Sequence, residues 1–510
     1  MSDESFDPES VTDRVVKKTP WWAISVGLHT LAVLVLTFLF VAGAPAETVT
    51  VSAISSKPPK EPPVEFRDPV IRTTPFKEPT PDEVTQLTPE NERENVDPSE
   101  FDTPTTVGDN KLNADSPFKN PNKNSSIGVG GPGGGKKGDG IGGREYRRQQ
   151  RRKVSTSDDD AVRGALLWLA RHQSADGSWG VQSHAGACKG TRCASPESAS
   201  ADFDMGVTGL SLLAFLGAGY SHLSKDVVEG IRFGDVVRGG LQHLLREQDV
   251  EGFLGPRTGH KQMYNHAIAA LALCEGYGLT GSALFKDQAQ KAVDYLVQAQ
   301  NPGRGWRYDA RSGDNDTSVT GWAVMVLKSA ELSGLTFPKS AYDGARAWLD
   351  EATEESYGRA GYTHKGTGKV YCPHNATFDH QEALTSIAVM SRIFIDKKSD
   401  ARIRSGAELV AREVPSLEPS KVDYYAWYYA ALALFQFDGP DGALWSKWNK
   451  GMVQALVKSQ LTTSAGCKDG SWEPADRWGC EGGRVYATAI NALTLEVFYR
   501  YENVLGGKRK

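Results

Sequence analysis

The sequence lacks the excess of positive charge that nucleic-acid-binding domains carry. Its 510 residues include 58 Lys and Arg against 63 Asp and Glu, a net charge of −5. It also lacks the short ligand spacings of common zinc sites, since neither Cys-x-x-Cys nor His-x-x-x-His occurs. From the net charge we predict no nucleic-acid partner. From the missing ligand spacings we predict no metal site, and we predict no cofactor.

Charged residues are also absent from residues 21–43, which are apolar throughout. A helix that crosses a bilayer needs about 20 apolar residues, so we predict one transmembrane helix here. The polar head, residues 1–20, has three basic residues, which places the N-terminus in the cytoplasm. The predicted localisation is the bacterial inner membrane, single-pass, with a periplasmic C-terminal domain. The alternative is a signal peptide cleaved near Ala44-Pro45-Ala46, although the apolar stretch exceeds the usual ~7–15 residues.

Residues 44–153 have the composition of a linker. Proline mixed with Lys and Glu comes first, a glycine-rich run follows at residues 128–135, and a basic run extends from Arg144 to Lys153. Such a segment buries too little apolar surface to fold, so we predict a disordered tether. The alternative is a linker whose length has no specific role. The basic run could contact acidic lipid or an anionic polymer, or be a solvated helix start.

Two pairs of cysteines lie close together in the sequence. They are Cys188 with Cys193, and Cys467 with Cys480. Near pairs of this kind are typical of disulfides in domains outside the cytoplasm. We therefore predict a disulfide within each pair.

One phrase recurs in residues 154–503: an apolar helix leads to a Gln, and a turn containing Gly and Trp follows. The copies end in Gln173 with Trp179, Gln300 with Trp306, and Gln460 with Trp472. Gly ends a helix in left-handed backbone, and the Gln side chain can satisfy free backbone groups there. The Trp covers the turn and packs on the next helical hairpin. We predict a structural role for these residues rather than a binding role.

Amphipathic helices alternate with helices that are apolar on nearly all sides along residues 154–503. Apolar helices of this kind are buried, whereas amphipathic helices lie at the surface. Six such pairs, at a period of about 55 residues, indicate a double-walled barrel. The predicted fold class is therefore all-α, an (α/α)6 toroid.

The repeated phrase resembles the QW repeats of squalene and hopene cyclases and the shorter repeats of protein prenyltransferase β subunits. The resemblance covers residues 154–503 and implies a toroid whose central cavity holds isoprenoids. The catalytic motifs of these families are not intact in this sequence. Aligning Asp316-Thr317 on the cyclase motif puts Asn315 where the acid should be, and Ala487 falls where prenyltransferases have a zinc-binding His. The resemblance therefore implies the fold without either activity.

In such a toroid, the starts of the inner helices face one mouth of the cavity, and polar residues gather there. Candidate catalytic residues are Asp314, Asp316 and His266, since carboxylates and imidazoles perform acid–base chemistry. Candidate ligand-binding residues are Asp204, Tyr264, Asp379, His380, Glu382, Tyr425, Trp427, Arg484 and Tyr486. The alternative is structural, because Asp204 and Asp316 are also good N-cap residues and His266 could donate a hydrogen bond inside the ring.

Ser25 and His29 lie four residues apart in the predicted membrane helix and share one face. An ionisable residue inside a membrane helix is a functional hypothesis by default. With the spacer rich in Pro, Glu and Lys, they resemble TonB-type energy transducers over the first ~80 residues. The resemblance implies coupling to a proton-driven motor complex. The alternative is that His29 lies near one interface and is tolerated there.

These features predict a membrane-anchored toroid that binds a lipid, a glycan or a protein partner, without cyclase or zinc prenyltransferase chemistry. The alternative is an enzyme acting on an isoprenoid or another lipid in the cavity. An apolar, aromatic-lined cavity would favour lipid binding. A filled barrel would leave a scaffold.

Overall fold

The computed structural model describes residues 157–188, 193–257, 261–366, 382–500 and 503–505, together with Val26, His29, Thr30, Leu31 and Leu34. The chain divides into two units, Met1–Arg93 and Glu94–Lys510. In the first unit, the five described residues are helical and exposed. Thr30 Oγ1 donates a hydrogen bond to the Val26 carbonyl at 2.8 Å.

The predicted membrane helix falls mostly outside these residues, and Ser25 and the predicted linker fall outside them entirely. Within the described ranges, no helix is both long and apolar enough to cross a membrane.

The described part of the second unit is mainly helical, as predicted. Its twelve α-helices are α1 Ser157–Arg171, α2 Asp204–Gly217, α3 Phe233–Glu247, α4 Gln262–Thr280, α5 Ala283–Ala299, α6 Thr317–Leu332, α7 Ser340–Ala352, α8 Ala383–Asp396, α9 Ala401–Val410, α10 Tyr424–Asp438, α11 Ala443–Ser459 and α12 Gly479–Arg500. Short 3-10 helices are Ser183–Ala187, Ala201–Phe203, Pro419–Lys421 and Thr463–Lys468. A small antiparallel hairpin joins β1 Val227–Val228 to β2 Ile231–Arg232, pairing Val227 with Arg232.

The even-numbered helices form a closed inner ring. Each packs against the next even-numbered helix, and α12 packs against α2. The odd-numbered helices lie outside: α3, α5, α7, α9 and α11 each pack on the preceding inner helix, and α1 packs on α12. Every residue of α2 from Met205 to Gly217 is buried, whereas α3 buries one side. The predicted alternation of buried and surface helices is confirmed.

Small residues let the inner helices approach closely. A Cβ built on Gly209 of α2 would lie only 2.9 Å from the backbone nitrogen of Ala269 on α4. Glycine at this position therefore permits a helix contact that any larger residue would force apart.

The repeated Gln residues clamp each turn to the next outer helix. Gln173 Nε2 donates to the carbonyls of Gly177 and of Val236 on α3, both at 2.9 Å. Gln300 bonds the turn and α7 in the same way, and Gln460 bonds the turn and α1. Gly177 has φ of +86° and a Cβ there would lie 2.1 Å from the Gly239 carbonyl oxygen, so the turn requires glycine.

The repeated Trp residues are fully buried, and each indole anchors the helix before it. Trp179 Nε1 donates to the Leu169 carbonyl at 2.8 Å, Trp306 Nε1 to Leu296 at 2.7 Å, and Trp472 Nε1 to Leu456 at 2.9 Å. The structural interpretation of the repeated phrase is therefore confirmed.

A fourth glutamine makes the same pair of hydrogen bonds, although the sequence pattern did not predict it. Gln248 Nε2 donates to the carbonyls of Gly252 at 3.1 Å and of Gln288 at 2.9 Å. Leu254 takes the place of the Trp, because the Asp249 amide donates to the Phe253 carbonyl just as the Asn301 amide donates to the carbonyl of Gly305, the residue before Trp306. The missing Trp hid this repeat from a search for Gly with Trp.

Candidate functional site

A cavity opens at the N-terminal ends of the inner helices, where the sequence predicts the mouth. It encloses about 870 Å³ of space free of protein atoms, its open mouth included. Eight of its described lining residues are aromatic: Phe203, Tyr264, Tyr308, Trp322, Tyr362, Tyr425, Trp478 and Tyr486. Its aliphatic lining residues are Val207, Leu210, Ile268 and Ile490.

Helix caps place two polar side chains in this wall. Asp316 caps α6 by accepting a hydrogen bond from the Val319 amide at 2.7 Å, and Asp423 caps α10 by accepting from the Ala426 amide at 2.9 Å. The residue two positions after each cap, Ser318 or Tyr425, lines the cavity. Capping thus fixes the register in which the helix start faces the cavity.

Three hydroxyl groups form a polar spot on the apolar wall. Tyr264 Oη donates to Ser318 Oγ at 2.7 Å, and Ser318 Oγ lies 2.7 Å from Tyr425 Oη. Burial raises the pKa of both tyrosines above its usual value, so their hydroxyls stay protonated at neutral pH. This hydroxyl cluster (Tyr264, Ser318, Tyr425) can exchange hydrogen bonds with a hydroxyl or carbonyl of a ligand.

Two buried carboxyl groups lie one hydrogen bond behind the wall. Tyr362 Oη donates to Asp316 Oδ2 at 3.3 Å, and Tyr486 Oη donates to Asp476 Oδ2 at 3.0 Å. Burial raises the pKa of Asp316 to about 7. Burial and then the negative charge of Asp423 raise the pKa of Asp476 to about 8. Neither aspartate is among the lining residues, so a tyrosine separates each acid from the cavity.

An ion pair lies in the wall where α4 and α12 begin. Lys261 Nζ is 3.4 Å from Glu481 Oε1, and both side chains are partly exposed. Because the two opposite charges lie side by side, this part of the wall carries little net charge.

The structure brings three predicted ligand-binding residues together, namely Tyr264, Tyr425 and Tyr486. Asp379 and His380 lie outside the described residues.

The other predicted ligand-binding residues lie off the cavity wall and have structural partners. Asp204 Oδ1 accepts from the Val181 amide at 2.7 Å. Glu382 pairs with Arg359 at 2.6 Å, and the buried Arg484 pairs with Glu473 at 2.5 Å. Trp427 is buried in the core, edge-on to Tyr424. A loop amide, two ion pairs and core packing therefore account for these four residues.

The predicted catalytic residues do not converge either. His266 is fully buried: its Nε2 lies 3.1 Å from the Ala292 carbonyl, and its Nδ1 accepts from the Leu254 amide at 3.2 Å. Burial lowers the pKa of His266 to about 3, which keeps it neutral. Asp314 is exposed and pairs with Arg307. His266 and Asp314 therefore have partners away from the cavity, and of the three predicted catalytic residues only Asp316 approaches it.

Several lining residues were missed by sequence reasoning. Trp322 lies four residues after Ser318, and Ile268 four after Tyr264, the spacing of one helix face. Extending each helix start by one turn would have found them. Tyr362 and Trp478 lie outside the helical segments that this spacing covers, so it gives no signal for them.

Neither predicted disulfide is formed in the structure. None of the four cysteines is bonded to its predicted partner, and the Cys480 thiol donates to the Arg477 carbonyl at 3.5 Å. The sulfurs of Cys188, Cys193 and Cys467 instead surround one histidine nitrogen, His172 Nε2. Closure of the ring brings the end of α1 beside the segment after α11. These two segments are far apart in the sequence, so their contact could not be predicted from cysteine spacing.

No family model matches the sequence, and no curated protein matches it. Solved structures with similar folds include an inactive variant of an α-1,6-mannanase of Salegentibacter sp. HEL1_6 in complex with α-1,6-mannotriose (11% identity, 67% of this chain and 99% of that one, TM-score 0.46). Others are an α-amylase from Clostridium perfringens (12%, 68% and 99%, TM-score 0.45) and a type II terpene cyclase from Scytonema (12%, 67% and 97%, TM-score 0.42). Function therefore has to be inferred from the cavity itself.

Proposed function

We propose that the protein is a membrane-anchored (α/α)6 toroid whose cavity binds an apolar ligand of the lipid or isoprenoid class. The observation that carries the proposal is the wall of eight aromatic side chains, which includes the cluster of three hydroxyls. Aromatic and aliphatic walls favour apolar ligands, and the hydroxyl cluster suits one polar end group. A glycan fits less well, because each sugar hydroxyl buried without a partner costs free energy.

The test is to extract and identify ligand that co-purifies with the full chain. Ile268→Trp adds an indole to the cavity wall, and Val250→Trp, at a side chain that is 93% exposed, is the matched control. We expect lipid from the wild type and from Val250→Trp, and a loss of roughly tenfold or more from Ile268→Trp, about 1.4 kcal/mol of binding. Equal lipid from all three proteins would place the ligand elsewhere, and no lipid from any would reject the proposal.

The proposal includes the inner-membrane topology, with residues 21–43 as the anchor and the toroid outside the cytoplasm. Protease added to spheroplasts should digest the repeat domain while the inner membrane is intact. Digestion only after lysis would reject this topology. Coupling to a proton-driven motor complex through His29 is part of the same proposal. It fails if His29→Ala has no phenotype where deletion of the gene has one.

The second candidate is an enzyme acting on an isoprenoid or another lipid in the same cavity. The observation in its favour is the pair of acids with a raised pKa, Asp316 and Asp476, each hydrogen-bonded to a lining tyrosine. Such acids are protonated near neutral pH and can supply a proton. Incubation with geranylgeraniol should then give a product that Asp316→Asn does not form. Unchanged alcohol with the wild-type protein would remove this candidate for that substrate.

A further inference from the structure

We propose that His172, Cys188, Cys193 and Cys467 bind a zinc ion. His172 is on the turn that ends α1, Cys188 and Cys193 are in the following loop, and Cys467 is in the 3-10 helix after α11. The four donor atoms lie within 4.8 Å of one another. The arrangement joins the end of the first outer helix to the segment after the last one, since His172 and Cys467 are 295 residues apart in the sequence.

The distances fit a tetrahedral metal. With Zn–S of about 2.3 Å and Zn–N of about 2.0–2.1 Å, a tetrahedron has N···S edges of about 3.6 Å. His172 Nε2 lies 3.3 Å from the sulfur of Cys467 and 3.6 Å from the sulfurs of both Cys188 and Cys193. All three sulfurs therefore stand at the separation from nitrogen that a shared zinc imposes.

The histidine is oriented with its lone pair toward the sulfurs. His172 Nδ1 lies 2.7 Å from the Trp168 carbonyl, which can only accept, so Nδ1 carries the proton and Nε2 is free to bind metal. The ring also stacks on Trp168 at 4.2 Å. A backbone carbonyl on the far nitrogen is the usual outer partner of a metal-binding histidine.

The sulfurs are also held in place. The Cys193 amide donates to the Cys188 sulfur at 3.2 Å, a contact that stabilises a thiolate. Trp168 Nε1 donates to the Cys467 carbonyl at 3.0 Å, and His184 Nε2 lies 2.7 Å from the Cys193 carbonyl. The first contact holds the Cys467 segment against α1, and the second holds the Cys193 segment against the 3-10 helix Ser183–Ala187.

Three cysteines and one histidine fill the four positions of zinc, and a site without an open position is structural rather than catalytic. None of the four residues lines the cavity. On binding, the three thiols release their protons to solvent and the sulfurs bond the metal. The zinc would hold the ends of the ring together at a point distinct from the ligand site.

The test measures metal in the full chain, purified without chelator, by elemental mass spectrometry. Cys467→Ser and Cys193→Ser each remove a ligand, and Cys480→Ser removes a thiol outside the cluster. We expect one zinc per chain in the wild type and in Cys480→Ser, and roughly tenfold or more loss in the other two. Zinc absent from the wild type, or unchanged in the ligand variants, would overturn the proposal.

A second measurement does not depend on the variants folding. The wild-type chain is stripped with a chelator and titrated with cobalt chloride, and each thiol is then mapped by alkylation. We expect the visible bands of tetrahedral cobalt–thiolate, and protection of Cys188, Cys193 and Cys467 only while metal is bound. A disulfide between any two of these three in the purified protein, or alkylation that metal does not affect, would overturn the proposal.

Discussion

Replacing Arg500 by Met should destabilise the ring more than any exposed charge substitution. Arg500 on α12 pairs with Glu275 on α4 at 2.7 Å, and both side chains are fully buried. Glu496, also fully buried, packs with Arg500 against Gly217 of α2. This charged group therefore lies among three inner helices.

The magnitude follows from the geometry. At an effective dielectric constant of about 20, opposite charges 2.7 Å apart attract by about 6 kcal/mol. Desolvation of the guanidinium offsets part of this attraction, but Met leaves the buried Glu275 without its arginine. Breaking such a pair typically costs about 3–5 kcal/mol, and we expect Arg500→Met to fall in this range.

The assay is urea unfolding of the full chain, followed by tryptophan fluorescence and circular dichroism. Arg163→Met is the control, because Arg163 pairs with Glu229 at the surface and should cost at most about 1 kcal/mol. Adding Glu275→Gln and Glu496→Gln to Arg500→Met should restore part of the loss, since these three buried positions then carry no charge. A loss below about 1 kcal/mol for Arg500→Met, or no recovery in the triple variant, would refute this reasoning.

Two further predictions concern the acid behind the wall and the repeated clamp. The raised pKa of Asp476, about 8, means that its neutral form stabilises the fold fully below about pH 4, and that this contribution is lost as the pH rises toward 8. As the pH rises across that window, Asp476→Asn should therefore become more stable than the wild type, by up to about 1.4 kcal/mol per pH unit. The measurement is the urea midpoint of both proteins at about pH 5 and 8, and an equal difference between them at the two pH values would contradict this prediction. Gln460→Leu removes the side-chain donor to the Ala161 and Gly470 carbonyls, and should lower the free energy of unfolding by about 1–3 kcal/mol in thermal unfolding. Gln242→Leu, at an exposed glutamine, is the control and should cost at most ~0.5 kcal/mol. Equal losses in the two variants would show that the Gln460 hydrogen bonds do not stabilise the ring.

The helices could be predicted from sequence because their signals are local. The apolar run through α2 and the turn from Gln173 to Trp179 each specify their own hairpin, and repetition orders the hairpins. The candidate site was predicted only in part, because Tyr264 and Tyr425 lie in the first turn of a helix whereas Tyr362 and Trp478 lie in non-helical segments.

The cysteines show where sequence reasoning fails. Cys467 and Cys480 are close in the chain, yet the sulfur of Cys467 lies beside His172 at the other end of the repeat domain. Closure of the ring decides which residues meet, and closure is a property of all twelve helices together. Local spacing therefore predicted a disulfide where the fold brings one imidazole and three thiols together.

The most direct test of the proposed ligand-binding cavity is to map where an isoprenoid binds on the protein. A diazirine-bearing farnesol is photocrosslinked to the full chain, and the labelled peptides are identified by mass spectrometry. We expect labels on the starts of α4, α6, α10 and α12, around Tyr264, Trp322, Tyr425 and Tyr486, competed by unlabelled farnesol and lost in Ile268→Trp but not in Val250→Trp. Labelling confined to the outer helices, or equal labelling of the two variants, would contradict a ligand-binding cavity.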